Sequence, residues 1–164
     1  MSSSTDATKA DADPAVAECW LVGNQVARPE KGGVSASLRD ELARTLGASG
    51  LPRPALPLTH HLAFVGTPRP DGRQRVIIVS DNALRELMDE HIVGVGLSPA
   101  ELRLLKQVLG GRTLHQAADT DDVSYETKRS QYKSLARKLG AHSQVELSGL
   151  VFTRLMLWFG DLSG

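Results

Sequence analysis

The sequence predicts an α+β protein in which a small N-terminal α/β unit with a β-hairpin precedes a four-helix domain. Two observations predict this class. Residues 61–65 and 74–79 are β-rich runs that flank the turn residues of 67–72, as expected of a β-hairpin. From Leu97 onward, apolar residues recur at helical spacing with short breaks, as expected of packed helices.

Length and composition limit the class of protein further. The 164 residues allow one ordinary domain or two very small ones. Lysine plus arginine and aspartate plus glutamate each total 19, so the chain is not coated in basic residues, although charge can still be segregated along it. Hydrophobic residues make up 41% and aromatic residues 4%, which predicts an aliphatic core. The single cysteine, Cys19, excludes an internal disulfide framework and a cysteine zinc cluster.

Neither a membrane helix nor a secretory signal is indicated. No apolar run reaches the roughly 18 residues of a membrane helix, and the first residues lack a basic flank and an apolar stretch. We therefore expect a cytoplasmic protein. Three segments are predicted: residues 1–16 as a disordered tail, 17–93 as a small α/β unit for sensing or dimerisation, and 94–164 as the helical domain.

Helices are predicted on both sides of the hairpin. Residues 37–47 are predicted to form one helix, with Ser37 as a possible cap. Residues 82–91 are predicted to form another, with Asp81 as a possible cap. The proline-rich stretch 48–57 is predicted to be a loop. Two strands alone are marginal in water, so this unit needs covering helices, further strands or a partner chain. The apolar positions of the two helices are Leu38, Leu42, Leu46, Leu84, Leu87 and Met88.

The C-terminal domain contains four helix start signals. Ser98 begins the first helix, and Glu101 three residues later completes a capping box. Thr113 caps a short second helix at 114–119, with the turn placed at 119–122. The third and fourth helices begin at Ser124 and Ser143, and extend to Leu139 and to about Trp158. A glycine pair, Gly110-Gly111, ends the first helix, and Gly140 ends the third.

The third helix is amphipathic in an unusual way. At 100° per residue, one stripe of about 60° contains Lys128, Tyr132, Leu135 and Leu139. The opposite side contains Arg129, Ser130, Lys133 and Arg137, and one flank contains Thr127, Gln131 and Lys138. Between Ser124 and Gly140, five basic residues face one acidic residue, Glu126. The helix therefore has a net charge of +4 in a chain that is neutral overall.

A helix, a tight turn and a longer basic helix have the spacing of a helix-turn-helix. Exposed arginine and lysine side chains can reach guanine edges or phosphates in the DNA major groove, and glutamine can reach adenine. Backbone N–H groups at the helix start can hold a phosphate, with the hydroxyls of Ser124 and Thr127 beside them. These patterns favour DNA binding over the alternative, a solvated face of an ordinary helix bundle.

Residues 97–147 resemble the C-terminal DNA-binding domain of LuxR-type (GerE-type) transcriptional regulators. The resemblance covers roughly a third of the chain, and it depends on several short motifs in the family's order and spacing. The matching motifs are Leu97-Ser-Pro-x-Glu101, Gly110-Gly111, Ala118, Val123-Ser124-x-x-Thr127, Lys138-Leu139-Gly140 and Gln144-x-Glu146-Leu147.

Three positions depart from the family pattern. Ala100 stands where the family usually has arginine. Asp121 replaces a core leucine of the turn, and Lys128 replaces a valine that packs against the core. Lys128 could lay its stem along the apolar stripe and carry its charge outward. These departures indicate a divergent subgroup.

The resemblance implies a transcriptional regulator that binds double-stranded DNA as a homodimer, with the third helix in the major groove. Base contacts are expected from Thr127, Arg129, Gln131 and Lys133, and phosphate contacts from Arg137 and Lys138. The complete set of expected DNA-binding residues is Ser124, Thr127, Lys128, Arg129, Gln131, Lys133, Arg137 and Lys138.

The fourth helix is apolar on nearly every side. Such a helix is expected to be buried, by packing on the N-terminal unit, by pairing two subunits or by contact with a domain missing from the chain. In the family this helix often pairs the subunits. The residues expected at a dimer or interdomain contact are Leu150, Val151, Leu155, Trp158 and Phe159.

Residues 54–80 resemble the last strands of a PAS-type sensor domain, although the hairpin alone argues against a ligand pocket. We expect no catalytic activity, metal or cofactor. His60 and His61 would point to opposite faces of a strand, and the chain has no Gly-x-Ser-x-Gly nucleophile motif. Two other functions stay open: a protein-interaction adaptor that keeps the helix-turn-helix scaffold, and the regulatory front end of a larger enzyme.

Overall fold

The structure, a computed structural model, describes residues 15–23, 25–27, 34–48, 55–91 and 96–163, without the side chains at 91, 156 and 158–163. The chain divides into two compact units on either side of the bond between Leu84 and Arg85. The first unit is a sheet with one helix, and the second is helical. The predicted α+β class is therefore confirmed.

The first unit contains an antiparallel sheet of five strands in the order β2-β1-β5-β4-β3. The predicted hairpin is confirmed as β4 and β5, with Ala63 opposite Ile78 and Val65 opposite Val76. The strands are β1 (Val16–Val22), β2 (Gln25–Ala27), β3 (Ala55–Pro57), β4 (His61–Val65) and β5 (Arg73–Ser80).

The sequence did not predict β1, β2 and β3. The prediction of a loop over 48–57 is wrong at Ala55–Pro57, where β3 pairs with β4. Proline is tolerated there because β3 is an edge strand, which pairs on one side and can lack a donor on the other. The predicted tail lies outside the described residues except for Ala15 and Val16, and Val16 begins β1.

Two helices follow the predicted positions but begin at different caps. In α1 (Ala36–Ala48), the hydroxyl of Ser35, rather than Ser37, accepts the hydrogen bond of the Leu38 N–H. In α2 (Asp81–His91), the hydroxyl of Ser80 accepts the Ala83 N–H. A cap must precede the first helical residue, and the cap lies two residues earlier than predicted in α1 and one residue earlier in α2. The predicted apolar positions Leu84, Leu87 and Met88 are buried in α2.

The core of the first unit lies between α1 and one face of the sheet. Leu38 and Leu42 of α1 pack in one cluster with alternate residues of β1 and β5, among them Cys19, Val76 and Ile78. Burial, together with the charge of the neighbouring Glu18, raises the pKa of the Cys19 thiol to about 11. Cys19 is therefore a protonated core side chain at neutral pH, with little thiolate for redox or nucleophilic chemistry.

Besides the part of α2 from Arg85 onward, the second unit contains four helices in the described residues: α3 (Pro99–Leu109), α4 (Leu114–Asp121), α5 (Tyr125–Leu139) and α6 (Gln144–Ser163). Helix α5 packs against both α3 and α4, and α6 packs against α3. The capping boxes at Ser98–Glu101 and Thr113–Gln116 are both formed. Gly140 ends α5 in the left-handed conformation, with φ of 69°, as predicted. Buried leucine, valine and alanine side chains form an aliphatic interior: Leu102, Leu105, Ala117, Ala118, Leu135, Leu139, Leu147 and Val151.

The sequence predicted that α6 would be buried on every side, but part of its surface is exposed. Val151 and Leu155 are buried and Leu150 is half-buried, but Val145 and Leu157 are 84% and 61% exposed. The side chains of Trp158 and Phe159, also expected at a contact, lie outside the described residues. No helix in the described part of the chain is long and apolar enough to cross a membrane.

Candidate nucleic-acid interface

The turn between α4 and α5 comprises residues 122–124 and begins later than predicted. Helix α4 continues to Asp121, and Asp122 then adopts a left-handed conformation with φ of 51°. Aspartate tolerates this region better than most residues. Ser124 is the N-cap of α5, as predicted, and its hydroxyl accepts the Thr127 N–H at 3.1 Å. The turn therefore has the length expected of a helix-turn-helix.

The exposed side of α5 carries a row of cations. Arg129, Lys133 and Arg137 are all exposed and follow one another at four-residue intervals. One nitrogen of Arg129 lies 3.9 Å from Glu126, and both side chains are at least half exposed. Among the described residues, no acidic side chain pairs with Lys133 or Arg137. We call Arg129, Lys133 and Arg137 the basic row.

Lys128 does not belong to this exposed side, which corrects its predicted role in DNA binding. Lys128 is 2% exposed, and its ammonium forms an ion pair with the carboxylate of Asp121, whose side chain is 13% exposed. The side-chain amide of Gln107 also donates to Asp121, at 3.3 Å. The two departures from the family's apolar pattern therefore contact each other, and each neutralises the other.

Lys138 also has an internal partner instead of the free ammonium that a phosphate contact needs. Its Nζ lies 2.7 Å from Oε1 of Glu101 and 3.1 Å from the carbonyl oxygen of Gly96. These contacts join the end of α5 to the start of α3. Because carboxylates neutralise Lys128 and Lys138, the net charge on the outward side of α5 is +2 instead of +4. It is the sum of the three cations of the basic row and the carboxylate of Glu126.

The Glu101 carboxylate is held in its charged form. Burial works to raise its pKa, but hydrogen bonds from Lys138 and from the hydroxyl and N–H of Ser98 outweigh that effect and lower the pKa. A group whose pKa is lowered by folding stabilises the folded state above its ordinary pKa, and this stability is lost as pH falls through the folded value.

We expect Glu101→Gln to lower the free energy of unfolding at neutral pH by about 1.5–3 kcal/mol, the range for hydrogen bonds to a charged group. The deficit relative to wild type should shrink as the pH falls below the ordinary glutamate value of 4.5. Urea unfolding followed by circular dichroism from neutral to acidic pH measures both effects. A deficit that stayed constant across this range would contradict the role of the Glu101 charge.

The remaining predicted residues occupy the flank of α5. Thr127 is exposed, and its hydroxyl oxygen lies 2.8 Å from that of Ser124. Gln131 is half-buried, and its Oε1 is buried without a hydrogen-bond partner in the described part of the chain. Gln131 therefore points partly inward, and the structure does not group it with the basic row.

Sequence reasoning missed an aromatic pair beside the turn. The rings of His115 and Tyr125 stack with centroids 4.0 Å apart and an angle of 10° between their planes. Both residues are exposed and lie in the first turns of α4 and α5. No periodicity within one helix could have joined them, because their contact depends on how α4 and α5 cross.

Neither a protein-family model nor a curated protein matches this chain. Among solved structures, the chain is similar to the VqmA dimer of Vibrio cholerae, determined in the absence of its target DNA and described in connection with the DNA-binding mechanisms of LuxR-type receptors. The identity is 22% and the TM-score 0.36, and the match covers 61% of this chain and 52% of that one. The chain thus spans about half the length of the VqmA structure.

Proposed function

We propose that this chain is a DNA-binding transcriptional regulator of the LuxR type without catalytic activity, and that α5 enters the major groove. The observation that carries the proposal is the basic row on a helix that follows a three-residue turn. Arg137 follows Arg129 by eight positions, which corresponds to about 12 Å at 1.5 Å per residue. The major groove admits one α-helix, so the row can follow the groove while Lys128 and Lys138 anchor α5 to α4 and α3.

The roles of the individual cations follow from their positions. Arg129 and Lys133 lie nearest the start of α5, which is the part of a helix-turn-helix that contacts base edges. Arg137 lies a turn further on, where the helix leaves the groove and a phosphate contact is expected. Ser130 is exposed between Arg129 and Lys133, and we assign it to the same face.

Dimerisation is part of the proposal. Leu157 is exposed and Leu150 is half-buried about 20° away around the axis of α6, so these two residues can pair with the same residues of a second copy. Val151 and Leu155, also expected at this contact, are already buried within the single chain. The five-stranded antiparallel sheet supports the PAS-like interpretation of the first unit, since five strands are expected of a PAS domain.

Selection of bound sites from a random DNA pool tests the proposed function. Repeated selection with the full chain should enrich one sequence, and a palindromic sequence would indicate a dimer. Failure to enrich any sequence, with no DNA retained in a gel shift, would overturn the proposal.

The salt dependence of binding should be modest and should depend on the basic row. We expect Arg137→Ala to weaken binding similarly on all DNA sequences. It should also reduce the slope of log affinity against log salt concentration by about one unit, the effect of one lost phosphate contact. Arg154→Ala, which removes an exposed arginine from α6, is the matched control and should leave the slope unchanged. Equal slopes for both variants would exclude a phosphate contact at Arg137.

A protein-interaction adaptor is the second candidate. The exposed apolar residues Val145 and Leu157 suit a protein partner. The exposed carboxylates of Asp119 and Asp122 beside the turn would repel phosphates. The same gel shift distinguishes the two functions, because an adaptor would retain no DNA at any salt concentration.

A further inference from the structure

The stacked rings of His115 and Tyr125 bridge the two helices of the proposed DNA-binding motif. His115 is the second residue of α4 and Tyr125 the first residue of α5, on opposite sides of the connecting turn. Both side chains are exposed, and Tyr125 retains 37% of its surface. The stack therefore lies at the surface of the second unit and not in its core.

The pair lies at the margin of the basic row. At 100° per residue, Tyr125 is about 40° from Arg129 and about 80° from Lys133 around the axis of α5. The buried Lys128 lies about 60° away in the other direction. Tyr125 therefore marks the edge of the exposed side of α5, on the side against which α4 and His115 pack.

The chemistry of the pair suits a phosphodiester better than a base edge. A tyrosine hydroxyl and an imidazole N–H are both donors, and stacking fixes the direction of the two rings before DNA arrives. Because the major groove admits only one helix, a contact formed by residues of both α4 and α5 lies at the edge of the groove. The sugar-phosphate backbone passes along that edge.

We propose that the His115–Tyr125 stack donates hydrogen bonds to a phosphodiester, at the edge of the groove that α5 enters. This inference rests on the proposed function and adds two residues to the DNA interface. Each ring supplies one hydrogen-bond donor. A contact through the stacked rings does not require the long, flexible side chain of a lysine or arginine to be ordered on binding.

The test uses the full chain and a duplex carrying the site selected from the random pool. Tyr125→Phe and His115→Phe each keep an aromatic ring in the stack and remove the polar donor. Each should weaken binding about threefold to tenfold, the effect of losing one hydrogen bond. In Tyr125→Phe the salt slope should stay that of wild type, because the loss of a neutral hydroxyl changes no counterion release. Tyr132→Phe is the matched control. Tyr132 is half-buried on the same helix, and the loss of its hydroxyl should leave the affinity for DNA unchanged.

The outcomes separate this inference from the proposed function. If Tyr125→Phe and His115→Phe both bind as tightly as wild type while the basic row is required, the stack makes no DNA contact and this proposal fails alone. A reduction of the salt slope by about one unit in Tyr125→Phe would also overturn it, since that would indicate the loss of a charged contact. If the wild-type chain retains no DNA, both proposals fail together.

Discussion

Replacing Arg129 and Lys133 together by alanine is expected to remove sequence-specific DNA binding while leaving the helical content unchanged. Both side chains are exposed on α5. Among the described residues, the one ion pair formed by either is the long, exposed contact of Arg129 with Glu126, so their removal should not unfold the helix. If each makes a bidentate contact to a base, each contributes about 1–3 kcal/mol of discrimination. Their joint loss should therefore weaken specific binding by about 2–6 kcal/mol.

A salt-controlled titration against the selected duplex and against a scrambled duplex measures this effect, and far-ultraviolet circular dichroism monitors the helices. The matched control is Arg103→Ala with Arg154→Ala, which removes the same charge from exposed positions on α3 and α6. Because neither arginine belongs to the basic row, the control should leave both the affinity for the selected duplex and the salt slope unchanged. Similar losses for the two double variants would show that charge alone, and not the basic row, governs binding.

The ion pair between Lys128 and Asp121 leads to the second large effect. Breaking it in Lys128→Val should destabilise the second unit by about 3–5 kcal/mol, because an unpaired carboxylate would remain mostly buried beside the turn. Adding Asp121→Leu introduces both residues that the LuxR-type pattern has at these positions. The double variant should recover that loss, and replacing buried ion pairs by apolar residues can add about 1–4 kcal/mol of stability.

The stability gained in the double variant depends on Gln107. Its side-chain amide donates to Asp121 and would lose this partner in the double variant, and a buried donor without a partner costs about 1–3 kcal/mol. The triple variant with Gln107→Leu should therefore be the most stable of the series. Amide hydrogen exchange in α4 and α5, read alongside urea unfolding, assigns the changes to this unit. A double variant as unstable as Lys128→Val would contradict the proposed pairing.

The sequence predicted the elements whose signals are local. The capping boxes at Ser98 and Thr113, the cap at Ser124 and the end of α5 at Gly140 all depend on residues within a few positions of one another. The hairpin was predictable for the same reason. Strands β1, β2 and β3 were missed because a short strand is identified by its partner in the sheet, and three to seven residues carry too little pattern of their own.

The same distinction applies within the candidate site. Periodicity correctly placed the basic row opposite the buried stripe of α5, and it also placed Lys128 in that stripe. It did not show that Lys128 is paired there, because Asp121 lies on α4. It did not show that Lys138 is held by Glu101 of α3, 37 residues away. Helical wheels place side chains around an axis, whereas ion pairs depend on what packs against that axis.

The amino-acid sequence by itself determined an α+β chain with a hairpin, four C-terminal helices and a basic face on the third of them, because hydrophobic period, capping chemistry and turn residues act over short distances. Only the tertiary structure decided which of the five cations of that helix point outward. Two are neutralised by carboxylates from other helices, Asp121 and Glu101, since the buried charges of Lys128 and Glu101 each need a partner. The three that remain are the basic row.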